Sequence, residues 1–322
     1  MTTYKYIIYS LLSLYLTSSC APKVKDGYDE KNGYIGNISI SGAFALYPIT
    51  VLWAEAFKKE NPNVRFNISA GGAGKGIADV LSNMADIGLL SRDLHEQESQ
   101  QGAFPIPVAK DAVIAVINSQ HPNYQLLEQR GLSQDELQGI FVDKRYKLWS
   151  DIDPRLEQQP IETYVRSDAA GAAETWANFL GTHQEGLQGI GIFGDPGLVQ
   201  AIKASPLSIG FSNINFVYDL KSKHSTTDIA ALPLDINSNG HIDPNESFYQ
   251  HLDSLTEAIA ANRYPEPPAR NLSFVIQADR NSKLLTAFLR FALAEEQQAQ
   301  LLSNGYVPLN QKQRTEALNK LR

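Results

Sequence analysis

The amino-acid sequence predicts an α/β fold organised in two lobes. The chain has 322 residues, which is more than one hydrophobic core usually holds. From Ile35 to the C-terminus, short apolar runs alternate with stretches of helical periodicity, which is typical of α/β proteins. Three of these runs end in turns rich in small residues that lead into a helix. We therefore expect an α/β architecture divided into two lobes or domains.

The N-terminus predicts an export signal. Lys5 precedes an apolar run from Tyr6 to Leu16 that is too short to cross a bilayer comfortably, and Thr17, Ser18 and Ser19 lead to Cys20, the only cysteine. We interpret residues 1–19 as a bacterial lipoprotein signal and Cys20 as the lipidation site, which places the protein outside the cytoplasm on a membrane. A plain signal peptide and a buried free cysteine stay open, because Thr17 stands where such signals usually carry Leu. The polar residues 20–34 predict a flexible tether.

Charge and cysteine content exclude some partners. The net charge is -7 and the isoelectric point is near 5.4, so the chain lacks the basic footprint of a nucleic-acid-binding protein. An exported chain without a second cysteine forms no internal disulfide, so its stability has to come from core burial, a ligand or a metal.

The first half of the chain contains two strand-to-helix turns. A strand at Ile38–Ser41 leads through a loop to a helix with Pro48 near its start. The glycine run at 71–76 precedes a second helix, and Ala85–Leu90 returns as a strand. The continuous apolar run Asp111–Asn118 predicts a buried strand and the first hinge between the lobes.

The second half repeats the alternation. Ser133 and Glu136 form a capping box, which predicts a helix start. The segment at 166–173 is a third turn, between a strand at Ile161–Val165 and a helix. The remaining predicted elements are strands at Leu207–Phe211 and Ala231–Leu234, a helix at Ser254–Ala261, a returning crossover strand at Ser273–Gln277 and one long amphipathic helix at Ser282–Leu302.

The three turns are suited to bind an anion. Glycines let backbone N–H groups converge, and the first turn of the following helix adds unpaired amides and the positive end of its dipole. Such a pocket needs no charged side chain. A single glycine-rich turn can also be no more than a helix cap, but three of them in one chain favour a binding site.

Six segments in order resemble the substrate-binding proteins of phosphate ABC transporters. They are GAFALYP at 42–48, GGAGKGI with DIGLLSRD at 71–93, KDAVIAVIN at 110–118, LSQDELQGIF with WSD at 132–151, RSDAAGAAETW at 166–176 and IGFSNI at 209–214. The resemblance implies a two-lobed periplasmic binding protein fold of type II-like architecture, with a ligand cleft between lobes joined by two crossover strands. Lobe 1 would span residues 35–114 and 269–322, and lobe 2 residues 115–268.

The resemblance also implies a function. The chain would be an extracytoplasmic solute-binding lipoprotein, not an enzyme, that captures an inorganic oxyanion, with phosphate the first candidate, and delivers it to an ABC transporter permease. We expect a monomer that docks transiently at the membrane.

Ligand-binding residues are implied position by position. In lobe 1 they are Leu46, Tyr47, Gly72, Ala73, Gly74 and Ser91, and in lobe 2 they are Arg166, Asp168, Ala170, Gly171 and Ala172. Leu46, Ala170 and Ala172 stand where the family usually offers hydroxyl groups. The remaining donors would be the amides of Tyr47, Gly74, Gly171 and Ala172 and the guanidinium of Arg166. Losing three hydrogen bonds to a charged ligand would cost on the order of 5–9 kcal/mol, so another anion, or a surface or signalling module that has lost its ligand, stays open.

The segment DINSNGHIDPNE at 235–246 fits a calcium-binding loop. The predicted ligands are Asp235, Asn237, Asn239, the carbonyl of His241, Asp243 and Glu246, with Gly240 at the sharp turn. We expect a structural calcium ion, while a surface turn rich in Asn, Asp and Gly is the alternative.

Catalytic signatures are weak. The six histidines lack paired metal-ligand spacing, no Gly-x-Ser-x-Gly elbow occurs, and GGAGKG lacks the hydroxyl residue and upstream glycine of a phosphate-binding P-loop. A hydrolase that uses the calcium loop is the remaining enzymatic alternative.

Overall fold

The computed structural model describes residues 27–30, 33–280 and 282–321. The predicted signal peptide and Cys20 lie outside these residues. In the segment predicted as a tether, Gly27–Asp29 (β1) pairs antiparallel with Gly33–Ile35. This stretch is therefore a hairpin attached to lobe 1, and the prediction of a flexible tether is corrected for it.

The strands form two sheets that share one strand. They are β2 Gly33–Gly42, β3 Asn63–Ala70, β4 Ile87–Leu90, β5 Ala103–Ile117, β6 Glu162–Arg166, β7 Ile190–Ile192, β8 Ser208–Asn213, β9 Ala230–Ala231 and β10 Ala269–Gln277. In lobe 1, β2 pairs parallel with both β3 and β4, and β10 runs antiparallel between β4 and β5. In lobe 2, β8 pairs antiparallel with β5 and parallel with β6, and β7 forms the outer edge beside β6.

The connection between the lobes is built by β5 and β10. Residues 103–112 of β5 pair with β10 in lobe 1, and from Val113 onward the same strand pairs with β8 in lobe 2. The chain returns to lobe 1 at Ala269, opposite Ala112. Because β5 is buried from Asp111 to Ile117, it belongs to the interior of both lobes.

Helices cover the sheets. They are α1 Tyr47–Glu60, α2 Ala73–Leu81, α3 Glu96–Gln100, α4 Tyr124–Arg130, α5 Gln134–Phe141, α6 Gly171–Phe179, α7 Gly194–Ala204, α8 Ile214–Val217, α9 Leu252–Ala260, α10 Lys283–Ala292, α11 Glu295–Ala299 and α12 Gln311–Asn319. Pro48 lies in the first turn of α1, and the capping box of Ser133 and Glu136 starts α5, as predicted.

Each lobe has its own hydrophobic core. In lobe 1, Trp53 packs edge-to-face on Phe274, and Phe57 does the same on Phe288. In lobe 2, Trp176 stacks on Phe211 and meets Phe141 edge-on. Aromatic pairs in these geometries add about 0.5–1.5 kcal/mol beyond the buried area. Two separate cores allow the lobes to move as units about the shared strands.

The C-terminal segment differs from its prediction. The long helix expected at 282–302 is broken after α10 and continues as the short α11. The buried Gln298 donates to the carbonyls of Ala292 and Val108, and its side-chain oxygen accepts from the N–H of Leu309. These bonds satisfy the end of α10 and stabilise the break. Among the described residues, no helix is long and apolar enough to cross a bilayer.

Candidate functional site

The predicted anion-binding turns meet at the interface between the lobes. In lobe 1 they follow the carboxyl ends of the parallel strands β2 and β3, and in lobe 2 the turn follows β6. Ser91 follows the carboxyl end of β4, which is also parallel to β2. The carboxyl ends of parallel strands lie at one edge of a sheet, where ligands of α/β proteins bind. The fold therefore brings turns that are distant in sequence to one cleft.

The lobes touch directly at these turns. The N–H of Gly74 donates to the carbonyl of Ala169 at 3.1 Å. A Cβ atom at Gly72 would lie 2.7 Å from the same carbonyl, and one at Gly171 would lie 2.5 Å from the carbonyl of Ser91. Real Cβ atoms do not approach this closely, so glycine is required for the lobes to close as they do here.

Two helices from opposite lobes begin in the cleft without a side-chain cap. α2 starts after Gly72, whose φ of 88° suits glycine, and α6 starts after Ala170. Ser, Thr, Asp or Asn usually accept the first amides of a helix at this position. Here no side chain does so. The amide of Gly74 instead donates to the carbonyl of Ala169 across the cleft, so it is not a free donor, while the positive dipole ends of both helices are directed to the cleft.

Arg166 is the centre of a buried charge cluster in lobe 2. Its Nε and Nη2 donate to Asp168 at 2.8 and 2.5 Å, and its Nη1 donates to Asp195 at 2.5 Å. All three side chains are at most 5% exposed. The guanidinium also lies 5.5 Å from the ring centroid of Phe44, so it reaches the lobe-1 wall. Three of its five N–H groups donate in these bonds, and within the described residues the other two form no hydrogen bond.

The electrostatics of this cluster fix its ionisation. Burial opposes ionisation of Asp168, but the hydrogen bonds and charge of Arg166 outweigh burial and hold the pKa of Asp168 below its usual range. Burial likewise disfavours the guanidinium, and the charge of Asp195 outweighs it, so the pKa of Arg166 is raised. One cation with two carboxylates carries a net charge of -1. Attraction for an anion must therefore come mainly from backbone amides and helix dipoles.

A polar network extends from this cluster to the hinge strands. Asp195 accepts from the N–H of Asn213 at 3.2 Å, and the side chain of Asn213 accepts from Arg270. Arg270 of β10 forms a buried ion pair with Asp111 of β5, with Nε and Oδ1 2.8 Å apart. The anion-binding turn of lobe 2 is thus connected by hydrogen bonds to the strands that join the lobes.

The other predicted residues in lobe 1 differ in their roles. Leu46 is fully buried, and the N–H of Tyr47 donates to the carbonyl of Phe44 inside a 3-10 turn. The amide of Tyr47 is therefore not a free donor, contrary to our expectation. Ala73 is the first residue of α2 and is buried, while Ser91 is buried beside the start of α6.

In lobe 2, the start of α6 supplies no hydroxyl group. Ala170, Gly171 and Ala172 are buried, and Ala170 donates its N–H to the side chain of Gln184. Gln184 also donates to the carbonyl of Asp168, so its side chain holds both ends of the segment from Asp168 to Ala170 by hydrogen bonds.

The sequence matches the PBP superfamily domain over residues 29–296. The chain belongs to the PBP superfamily. It is 23% identical to the phosphate-binding protein PstS of Pseudomonas aeruginosa, across 91% of this chain and 90% of that protein. It is 27% identical to the PstS of Bacillus subtilis, although this alignment spans only 58% of this chain and 60% of that protein. A Clostridium perfringens protein, whose crystal structure contains phosphate, superposes with a TM-score of 0.70 at 20% sequence identity. The superposition covers 85% of this chain and 100% of the other. The fold is therefore the two-lobed fold of this superfamily.

At the mouth of the cleft, this PBP domain has a second polar cluster. A cavity of about 530 Å³ is lined from lobe 1 by Gly74, Arg92 and His95, and from lobe 2 by Ser167, Ala169, Glu174, His183, Gln184 and Glu185. Arg92 and His95 both contact Glu174 across the lobes. Lys75, a second cation near the turns, is instead paired with Asp79 in its own helix.

The segment predicted to bind calcium folds back on itself in lobe 2. Asp235 accepts from the amides of Asn239 and Gly240 at 3.1 and 2.8 Å, and Glu246 accepts from those of Ile236 and Asp243, both at 3.0 Å. Asp235 and Glu246 are 3% and 2% exposed, and within the described residues neither forms an ion pair.

Asp243 completes this loop. The side-chain amides of Asn237 and Asn239 donate to it, and the bond from Asn237 is the main reason why its pKa is lowered. Over the described ranges, no group of three or more His, Cys, Asp or Glu side chains is arranged to hold a metal ion. The three predicted carboxylate ligands, Asp235, Asp243 and Glu246, are therefore not gathered around one point in this structure.

Sequence reasoning missed several residues of the cleft. Asp195 lies 29 positions after Arg166, and neither Gln184 nor Glu174 belongs to a recognisable motif. Their roles depend on which elements the tertiary fold places side by side. The one available signal is the pair Arg166 and Asp168, which two-residue spacing on an extended segment places on one side of the chain.

Proposed function

We propose that this chain is an extracytoplasmic solute-binding protein that captures inorganic phosphate between its lobes and delivers it to an ABC transporter. The family is one of solute-binding proteins, and relatives over most of the chain are named phosphate-binding proteins. The absence of hydroxyl groups at Leu46, Ala170 and Ala172 leaves the backbone to supply most donors.

One observation carries this proposal. The uncapped starts of α2 and α6 come from opposite lobes, and Gly74 and Ala169 connect them directly. An oxyanion between them would receive main-chain donors from both lobes and the two remaining N–H groups of Arg166. Hydrogen bonds to a charged partner contribute about 1.5–3 kcal/mol each, so a few of them suffice for micromolar binding.

Asp168 favours a protonated oxyanion. Its carboxylate lies close to Gly72, since a Cβ there would be 3.0 Å from Oδ2. A carboxylate repels an anion unless the ligand donates a hydrogen bond to it. Hydrogen phosphate carries such a proton at neutral pH and sulfate does not, so phosphate should bind more tightly than sulfate.

Calorimetric titration of the mature, calcium-loaded protein tests the proposal. We expect phosphate to bind with a Kd below about 10 μM, with weaker binding of sulfate, molybdate and small carboxylates. A Kd for sulfate equal to that for phosphate would contradict the role of Asp168. If none of these anions binds, the alternative of a module that has lost its ligand is favoured.

We also propose that Cys20 anchors the protein to a bacterial membrane and that the chain acts as a monomer. The export signal and the single cysteine support this anchor. In cells, Cys20→Ser should move the protein from the membrane fraction to the soluble fraction. If the variant remains bound to membranes, lipidation at Cys20 is wrong.

We propose that residues 235–246 bind a structural calcium ion. Asp235 and Glu246 are buried carboxylates whose hydrogen-bond partners are backbone amides, so a cation at the loop would compensate both charges. The ligand set of carboxylate, amide and carbonyl oxygens suits calcium. Calcium at 100 times its Kd would stabilise the folded protein by about 2.7 kcal/mol.

Thermal unfolding with and without calcium tests this site. We expect calcium to raise the Tm, and Glu246→Gln to abolish most of that increase. Glu257→Gln, in the exposed part of α9, is the matched control and should retain it. An equal calcium response in both variants would show that calcium acts elsewhere.

A further inference from the structure

Glu174 is contacted by an arginine and a histidine of the opposite lobe. Arg92 Nε lies 3.0 Å from Glu174 Oε2, and His95 Nε2 lies 2.8 Å from Glu174 Oε1. Arg92 and His95 follow β4 in lobe 1, whereas Glu174 lies in the first turn of α6 in lobe 2. These contacts therefore exist only while the lobes are closed.

Lobe 1 holds Arg92 ready for this contact. Two hydrogen bonds join its guanidinium to Glu98 at 2.6 and 2.8 Å, and a third reaches the carbonyl of Asp93 at 2.8 Å. Burial raises the pKa of Glu98, but the bonds from Arg92 and from the N–H of His95 outweigh burial and lower it. Because all of these partners belong to lobe 1, Arg92 keeps its orientation when the lobes separate.

The Arg92 and Glu174 pair is shielded from solvent. The side chain of Arg92 is 7% exposed and that of Glu174 is 24% exposed. Partly buried pairs are screened less than surface pairs, so this contact is not weakened to the level of an ordinary surface ion pair. His95 is 52% exposed and adds a weaker hydrogen bond.

We propose that Glu174 is a positioning residue for anion retention, whose contacts with Arg92 and His95 hold the cleft closed and set the rate of phosphate release. This inference rests on the proposed function. The ligand is then retained by the contacts of Glu174 with Arg92 and His95, which lie outside the anion-binding turns.

The sign of the expected effect distinguishes this role from simple electrostatics. Glu174 is a negative charge near an anion, so removal of its charge alone should strengthen anion binding. Loss of the contacts between the lobes should instead weaken it. Glu185 lines the same cavity, and within the described residues it forms no ion pair, so it provides a matched test of charge alone.

The experiment compares Glu174→Gln with Glu185→Gln in the mature protein. Phosphate release is followed by stopped-flow fluorescence of the native tryptophans, and the overall size by small-angle X-ray scattering. We expect Glu174→Gln to release phosphate about tenfold faster, equivalent to about 1.4 kcal/mol, with an association rate within about twofold of wild type. Glu185→Gln should release phosphate at the wild-type rate or more slowly. His95→Gln should have an intermediate effect.

The outcomes separate this inference from the proposed function. If the wild-type protein binds phosphate but Glu174→Gln and Glu185→Gln release it equally fast, the inference is wrong and the proposed function stands. If wild type binds no phosphate, the proposed function fails first. Equal Tm values for wild type and Glu174→Gln, together with faster release, would support positioning, and a release rate that recovers in Glu174→Asp would support it further.

Discussion

The two walls of the cleft bind by different means. At the start of α2, the lobe-1 wall consists of Gly72, Ala73 and Gly74, with no charged side chain among them. The lobe-2 wall has the same kind of uncapped helix start, at Gly171, but adds the buried cluster of Arg166, Asp168 and Asp195. A main-chain donor requires only that the backbone follows a suitable course and packs closely. A buried charge requires charged or hydrogen-bonding partners, which here come from several elements.

This difference predicts different sensitivities to mutation. Changes at the glycines of either wall should act mainly on closure and affinity, because no buried charge is left unpaired. Changes in the charge cluster of lobe 2 should first destabilise the fold. The predictions below test this contrast in order of expected effect.

The largest effect is expected for Arg166→Met. It leaves Asp168 and Asp195 buried without a cation, which should lower the free energy of unfolding by about 3–5 kcal/mol. Chemical denaturation measures this loss. Arg145→Met is the control, because Arg145 and its partner Asp135 are 43% and 67% exposed and the loss should stay below about 1 kcal/mol. Equal losses in both variants would show that burial of the Arg166 cluster does not add to the cost of leaving a carboxylate unpaired.

Gly171→Ala should abolish closure without unfolding the protein. The added Cβ would lie 2.5 Å from the carbonyl of Ser91 in the other lobe, so phosphate affinity should fall by about 100-fold while the Tm changes little. Gly197→Ala in α7 is the control, since its Cβ would meet only the side chain of Ile192 at 3.3 Å. Calorimetry compares the two, and unchanged affinity in Gly171→Ala would contradict the closed arrangement.

A buried histidine makes the stability of lobe 2 depend on pH. His121 of lobe 2 is 3% exposed, and burial lowers its pKa to about 4 from a usual 6.5. The unfolded chain therefore binds more protons between these values, so stability is full above pH 6.5 and is lost as the pH falls. From pH 7 to pH 5 the loss should be about 2 kcal/mol.

His121→Asn tests this assignment. It keeps an acceptor for the N–H of Asn123, which His121 Nδ1 now binds at 3.0 Å, but it does not titrate. Denaturation curves at several pH values should show a flatter dependence in the variant. Parallel curves for variant and wild type would show that other groups cause the loss.

The smallest effect is expected for Ala170→Ser. Ala170 precedes α6 without a side-chain cap, and serine at this position typically stabilises by about 1 kcal/mol. The reverse change at an existing cap, Ser133→Ala before α5, should destabilise by a similar amount. If Ala170→Ser leaves stability unchanged but tightens phosphate binding, the new hydroxyl serves the ligand and not the helix.

The contrast between the walls also explains what the sequence could predict. The glycine turns, the strand through Asp111 and the capping box of Ser133 depend on neighbours in the chain, and the structure contains all three. The predicted long C-terminal helix was wrong because its break depends on Gln298 reaching Val108, which is 190 positions away. Local patterns cannot encode such a contact.

The candidate site follows the same division. Gly72 and Gly74 were identified from a local pattern and Gly171 from the family resemblance, and the structure places them together at the cleft. The free amide expected at Tyr47 was wrong, because a 3-10 turn uses it. Asp195 and Glu174 could not be found, since their partners lie on other elements. Backbone sites are thus more visible in a sequence than sites made of paired charges.

A crystal structure of the mature protein grown with phosphate tests the central claim most directly. We predict one phosphate ion enclosed between the first turns of α2 and α6, within hydrogen-bond distance of main-chain N–H groups from both lobes and of Arg166. Phosphate bound to one lobe only, or a closed cleft that excludes it at saturating concentration, would contradict the account.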